Sequence, residues 1–163
     1  MQVINDVSLS MDVKIRDALP DDVAALTALL QALFSIEADF SADATRQQRG
    51  LSLMLDGCGK HRCVKVAIVN GCVVGMCTAQ SLVSTAEGAM VALVEDMVVD
   101  SRYRGMGIGR KLMAAIELWA SKHEMRRMQL LADRTNFSAL DFYDKLGWCP
   151  TQLICLRRHG QRK

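Results

Sequence analysis

Two hydrophobic periods alternate along this chain, and the switches between them lay out its elements. Val13 to Leu19 (VKIRDAL) alternates apolar and polar positions as a half-buried strand does. Pro20, Asp21 and Asp22 then supply helix-start chemistry, and Val23, Leu26, Leu29, Leu30 and Leu33 recur at spacings of three and four, predicting a helix to about Phe34. The next stretch is less regular: Ser41 or Asp43 caps a second helix, and Gly57 and Gly59 end it. Cys63–Val69 and Cys72–Leu82 are apolar runs joined by Asn70 and Gly71, the strongest short hairpin signal. After a turn at Ser84–Gly88, Val91–Val99 is apolar on both parities, the pattern of a central strand buried on both faces. Ile108 to about Lys122 returns to helical spacing, with Leu112, Met113, Ile116, Trp119 and Ala120 on one side. Met128–Ala132 reads as a short strand, parallel to Val91–Val99 because a helix crosses between them. Asn136 caps a last helix that Gly147 stops, and Leu153–Leu156 is expected as a closing strand. Residues 1–12 read as a loosely held leader and 158–163 as a solvated basic tail.

Composition narrows the class. A chain of 163 residues that is 50% hydrophobic has enough apolar material for one core, so a single domain over 1–163 is expected. The net charge of +2 comes from 20 basic and 18 acidic residues spread throughout, which gives no reason to invoke nucleic acid or a membrane surface as partner. No apolar run reaches the length of a membrane span. The six cysteines lack C-x-x-C spacing and no signal-peptide pattern is present, so reduced thiols and a cytoplasmic location are expected. His61, His123 and His159 are isolated, without ligand spacing, and no metal is expected.

Charge concentrates at one place. Val94–Met113, VEDMVVDSRYRGMGIGRKLM, passes from the central strand through a glycine-rich basic loop into the helix at Ile108. Gly105, Gly107 and Gly109 remove every second side chain, so backbone N–H groups can close on a ligand, and the helix start adds unpaired donors and a positive dipole end. Arg102, Arg104, Arg110 and Lys111 surround these glycines, which points to a polyanion. A dinucleotide fingerprint fails because the sixth place counted from Gly105 is Arg110, and no P-loop pattern occurs.

Arg104 to Gly109 does match R-x-x-G-x-G, and here the chain resembles the GNAT acyltransferase superfamily, whose pyrophosphate loop has that form. Asn136–Trp148, NFSALDFYDKLGW, resembles the same family's later N-x-x-A-x-x-F-Y-x-x-x-G-[FWY] segment, with Asn136, Ala139, Phe142, Tyr143, Gly147 and Trp148 in place. The resemblance implies an α+β GNAT fold: a mixed central sheet with a β-meander, then a β-α-β-α-β half, and splayed central parallel strands. It implies acetyl-CoA as acyl-donor substrate. The backbone of Met97, Val98 and Val99 would bond the thioester arm, Arg104, Gly105, Met106, Gly107, Ile108, Gly109 and Arg110 would hold the pyrophosphate, and Asn136 would bind the arm. Tyr143 would also lie by the cofactor sulfur and protonate the leaving thiolate. The family's habit, with the apolar TQLICL segment as an open edge, also implies a homodimer.

Direct attack of an amine on the thioester needs a neutral amine, and an alkylammonium with a pKa near 10 is almost wholly protonated at pH 7. Glu95 and Asp96 are the candidate bases. Regular alternation puts Glu95 on one face with Leu93, Met97 and Val99, and Asp96 on the other with Val94 and Val98, so the two are not expected to point at one acceptor. Histone-type members carry a glutamate at the place of Leu93; Glu95 shares that face and is favoured here as base or water holder. The expected acceptor is a primary amine of a small molecule. Amino-sugar phosphate, aminoglycoside and protein α-amino acceptors stay open, as does a non-catalytic acetyl-CoA-binding module. Glu37, Asp39, Phe40, Arg46 and Arg49, in the motif-free region that shapes the acceptor pocket in the family, are candidates for substrate contact.

Overall fold

The computed structural model describes residues 12–37 and 39–160, and contacts group the chain into two units divided between Gln129 and Leu130. Residues 1–11 of the expected leader and 161–163 of the expected tail lie outside the described residues.

In the first unit, β1 (Lys14–Asp17) leads through a 3-10 turn at Pro20–Asp22 into α1 (Val23–Phe34). Pro20 opens the turn where a backbone N–H has no partner to lose. Asp22 fastens it: its carboxylate accepts both arms of the Arg16 guanidinium at 2.6 and 2.9 Å and the Leu19 N–H at 2.7 Å. The Arg16 hydrogen bond, foremost among these, holds the Asp22 carboxyl below its usual range. Of the two possible caps for α2 (Ala44–Asp56) Asp43 is used, accepting the Arg46 N–H at 3.1 Å, and Gly57 ends the helix.

β2 (Arg62–Val69), β3 (Cys72–Ser84) and β4 (Ala89–Val99) form the expected meander. Its first turn uses left-handed Asn70 (φ 49°) and Gly71 (φ 78°), whose twist matches that of the flanking strands. The sheet has the order β1-β2-β3-β4-β5, where β5 is Met128–Leu130. β1 to β4 pair antiparallel. The Arg126 N–H donates to the Met90 carbonyl and the Ala92 N–H to the Arg127 carbonyl, numbers rising together, so the chain enters β5 parallel to β4. The crossover that permits this contains α3 (Ile108–Lys122).

Helices cover both faces of the sheet. Leu26, Leu29 and Leu30 of α1 and Leu51 of α2 bury against Val64, Val66, Met76 and Val98. α3 packs on the opposite face, where Leu112, Met113 and Ile116 are fully buried. Gly75 of β3 is what lets α3 come close: a Cβ there would lie 3.1 Å from the Val98 carbonyl oxygen and 3.2 Å from Leu112 Cδ1.

In the second unit, α4 (Phe137–Asp144) is capped by Asn136, whose side chain accepts the Ala139 N–H at 3.1 Å, and left-handed Gly147 (φ 85°) ends the turn that follows it. The closing strand expected over Leu153–Leu156 does not form. That stretch has no regular secondary structure, and Leu153, Ile154 and Leu156 are 85%, 69% and 86% exposed. An apolar run supplies only half of a ladder, and without a neighbouring strand's N–H and C=O groups β propensity does not make a strand.

Candidate active site

The glycine-rich loop is built from its flanks inward. Asp100, the residue after β4, accepts the Arg102 N–H at 3.0 Å and its guanidinium at 2.6 Å, closing a 3-10 turn at Ser101–Tyr103. The Arg102 bonds, side chain first, pull the Asp100 carboxyl down to about 2. Of the cations counted around the loop, Arg102 is therefore committed to Asp100. Arg104 is engaged differently: its Nε–H donates to the Val99 carbonyl at 3.0 Å, tying the loop to the end of β4. Gly105 (φ 76°) and Gly107 (φ 77°) are both left-handed, a conformation costly for any residue with a Cβ.

Gly107 is the N-cap of α3, and the first bond of that helix runs from the Lys111 N–H to the Gly107 carbonyl at 3.1 Å. The N–H groups of Ile108, Gly109 and Arg110 therefore have no acceptor within the helix and face out of its positive end. Ile108 is only 1% exposed and anchors this end in the core, while Met106, Arg110 and Lys111 are exposed. Backbone donors, a helix dipole and two exposed cations at one bare turn are the donor set that a pyrophosphate requires, so these residues fit the phosphates of acetyl-CoA.

The acids of β4 depart from the expected alternation. Asp96 is left-handed (φ 49°), and the register with β3 slips there: Thr78 pairs with Glu95 and Met76 with Val98, so Asp96 and Met97 together oppose Cys77. This is a β-bulge, which re-aims side chains, and an aspartate is one of the few residues that adopt a left-handed conformation at modest cost. The two carboxylates consequently come to one face. Thr78 Oγ1 donates to Asp96 Oδ2 at 3.1 Å and Gln80 Nε2 donates to Glu95 Oε2 at 3.1 Å. Thr78 and Gln80 are two apart on β3 and share the face of Met76, the one that α1 and α2 cover.

The environments of the two acids differ. Glu95 is exposed, whereas Asp96 is partly buried. Burial, opposed by the Thr78 hydrogen bond and reinforced by the Glu95 charge, pushes the Asp96 carboxyl up to about 6. Thr78 and Gln80 were not among the residues singled out from the sequence. Their signal is a polar pair of one parity inside the apolar run VVGMCTAQSLV, opposite the acids.

Met97 is the second residue of the bulge, and Val98 and Val99 follow it, paired with Met76 and Gly75 of β3. Tyr143 and Asn136 belong to the second unit. The Tyr143 ring lies edge-on to Phe142 and Trp148, with centroids 5.2 and 6.2 Å away. Asn136 Oδ1 is used by the cap of α4. Of the residues named for the acceptor, Phe40 stacks on Phe34 at 5.2 Å and Arg46 pairs with Asp43 at 3.0 Å, while Arg49 is exposed on α2.

No curated protein matches the chain at a significant level. Solved structures do. A possible acetyltransferase from Clostridium difficile 630 superposes with a TM-score of 0.79 at 19% identity, covering 92% of this chain and 99% of that one. The aminoglycoside N-acetyltransferase AAC(6')-Iy in complex with CoA superposes with a TM-score of 0.79 at 18% identity, covering 94% and 98%. The aminoglycoside acetyltransferase meta-AAC0020 from an uncultured soil metagenomic sample, in complex with sisomicin, gives 0.69 at 22% identity, covering 92% and 97%. At these identities the likeness is one of fold. The sequence model of the acetyltransferase (GNAT) family matches residues 25–148, well over half of the chain and both motif blocks. The chain therefore belongs to the acetyltransferase (GNAT) family, as an acetyl-CoA-dependent N-acetyltransferase.

Proposed function

We propose that the protein acetylates a primary amine of a small molecule by direct attack on acetyl-CoA in a ternary complex, with Asp96 accepting the amine's proton. The observation that carries this reading is the bulge at Asp96, which brings the two carboxylates to one face and leaves Asp96 with a pKa of about 6. A general base works best with a pKa near the operating pH: at pH 7 this carboxylate is mostly ionised yet basic enough to relieve an ammonium of its proton. Glu95, exposed and held by Gln80, attracts the incoming cation and fixes its approach. The assignment of the base thus moves from Glu95 to its neighbour.

The remaining roles follow the motifs. Gly105 to Arg110 holds the pyrophosphate, the backbone of Met97, Val98 and Val99 bonds the thioester arm, and Asn136 contributes its amide to the same arm. Tyr143 donates to the departing thiolate; a free phenol, ordinarily near 10, and a free thiol, ordinarily near 8.5, are close enough for proton sharing. We also propose a homodimer and a cytoplasmic location. The exposed TQLICL segment supports the first and six free cysteines support the second. A monomer by sedimentation at micromolar concentration would remove the dimer.

The deciding experiment is an acceptor screen with a free-thiol readout of CoA release, run over alkylamines, amino sugars and their phosphates, sisomicin, amino acids and peptides with a free α-amino group. Acetylation of small amines but not of peptides supports the reading. Turnover of peptides alone overturns the small-molecule assignment.

A further inference from the structure

We propose that Thr78 is a positioning residue for the reaction: its hydroxyl, fixed on β3 and bonded to Asp96, holds the Asp96 carboxylate in place and governs the pH at which it takes up a proton. The proposal rests on the reading of Asp96 as proton acceptor and deepens it.

The geometry is particular to this bulge. Thr78 is 2% exposed, one of the few polar side chains inside an otherwise apolar core, and its Oγ1 lies 3.1 Å from Asp96 Oδ2. In a regular ladder the partner of Thr78 is Glu95; the left-handed turn at Asp96 is what swings the next carboxylate back over the same hydroxyl. A threonine hydroxyl is both donor and acceptor. It donates to Asp96 while that group is ionised, and by rotating about its C–O bond it accepts from Asp96 once the carboxyl has taken the amine's proton. The two protonation states keep a hydrogen-bond partner without moving the backbone.

Few other charges bear on this carboxylate. Glu95, its neighbour on β4, raises it, and the opposed side chain on β3 is the Cys77 thiol, itself pushed up by burial and so neutral. β3 has no charged residue between Cys72 and Ser84. α1, which packs on β4 from the same side, reads VAALTALLQALF and also has none. α3 carries Arg110, Lys111, Glu117 and Lys122, but it lies on the opposite face of the sheet. α2 covers the same face and carries Arg46, Arg49 and Asp56, with Arg46 paired to Asp43, and Arg62 of β2, opposite Gln80, donates to the Leu53 carbonyl. The Thr78 hydroxyl is the group bonded to Asp96 that stabilises its ionised form.

The sign follows directly. A donor to the carboxylate lowers its pKa, so removing the donor raises it, and hydrogen bonds to charged groups are of a size to shift it by about one to two units. The test is an NMR titration of the Asp96 side-chain carboxyl in the full-length protein, which needs no acceptor. Thr78→Val, close in shape, and Thr78→Ala are both expected to move the Asp96 midpoint up by about one to two units, and Thr78→Ser, which restores the hydroxyl, to bring it back near the parent value. Either deletion suffices if the other fails to fold. An unmoved midpoint in a folded deletion variant, or a serine variant that titrates like the valine one, overturns the proposal. Failure of the underlying reading looks different: the midpoint responds to Thr78 as expected, but the acid limb of kcat/KM for acetyl transfer survives in Asp96→Asn.

Discussion

Replacing Asp96 by asparagine should stabilise the protein while nearly abolishing its activity, because the property that suits Asp96 to the proposed role of base is a cost to the fold. Its carboxyl rises from the usual 3.8 to about 6 on folding. At 1.36 kcal/mol per unit, keeping it charged costs the native state about 3 kcal/mol at most. Asparagine keeps the shape and an oxygen for the Thr78 hydroxyl but buries an amide in place of a charge, so the net gain should be about 1–2 kcal/mol, or about 3–6 °C in Tm for a chain of this size. The pH dependence is the diagnostic part. A carboxyl raised on folding binds more protons in the native state than in the unfolded state between about pH 4 and pH 6, so stability falls as pH rises through that window. The advantage of Asp96→Asn should be absent near pH 4, grow to pH 6 and stay constant above. Thermal melts of both proteins across this range measure it, and kcat/KM of the variant should fall by about two to four orders of magnitude. An Asp96→Asn protein less stable than its parent at pH 8, or one offset equally at every pH, would refute the argument that burial of a charge sets this carboxyl.

Other outcomes test other parts of the molecule. Gly107→Val forces a β-branched residue into a left-handed N-cap, and should weaken acetyl-CoA binding by at least about tenfold in calorimetry while the fold persists; undiminished affinity would sink the loop assignment. Tyr143→Phe keeps the ring contacts with Phe142 and Trp148 but deletes the phenolic proton, so kcat should drop by roughly one to three orders of magnitude with acetyl-CoA affinity nearly unchanged. A wild-type rate across the pH range would return the leaving thiolate to protonation by water. Gly75→Ala puts a methyl 3.1 Å from the Val98 carbonyl oxygen and 3.2 Å from Leu112, so β4 and α3 must give by a few tenths of an ångström, and urea denaturation should show a loss of about 1–3 kcal/mol; a neutral result would mean that α3 does not press on β3 there.

The division between what was legible along the chain and what was not follows the range of the forces involved. The sequence by itself determined the elements governed by neighbours a few residues apart. α3 begins at Ile108 and ends at Lys122 as its periodicity predicts, because helical spacing is a local record of one buried face. The Asn70-Gly71 hairpin is equally local, since left-handed backbone at both positions is nearly unique to such pairs. The glycine-rich turn into α3 was readable for the same reason: its glycines and the helix start are chain neighbours. Tertiary structure decided what depends on a partner strand. Leu153–Leu156 has the composition of a strand and does not become one, for lack of a ladder to join. Asp96 has the parity of the face opposite Glu95, yet one left-handed residue and a slipped register put both carboxylates over Thr78 and Gln80. A bulge is an agreement between two strands about one extra residue, and no single strand's sequence states it. The same holds for the raised pKa, which arises from the burial of the carboxyl and not from its being an aspartate.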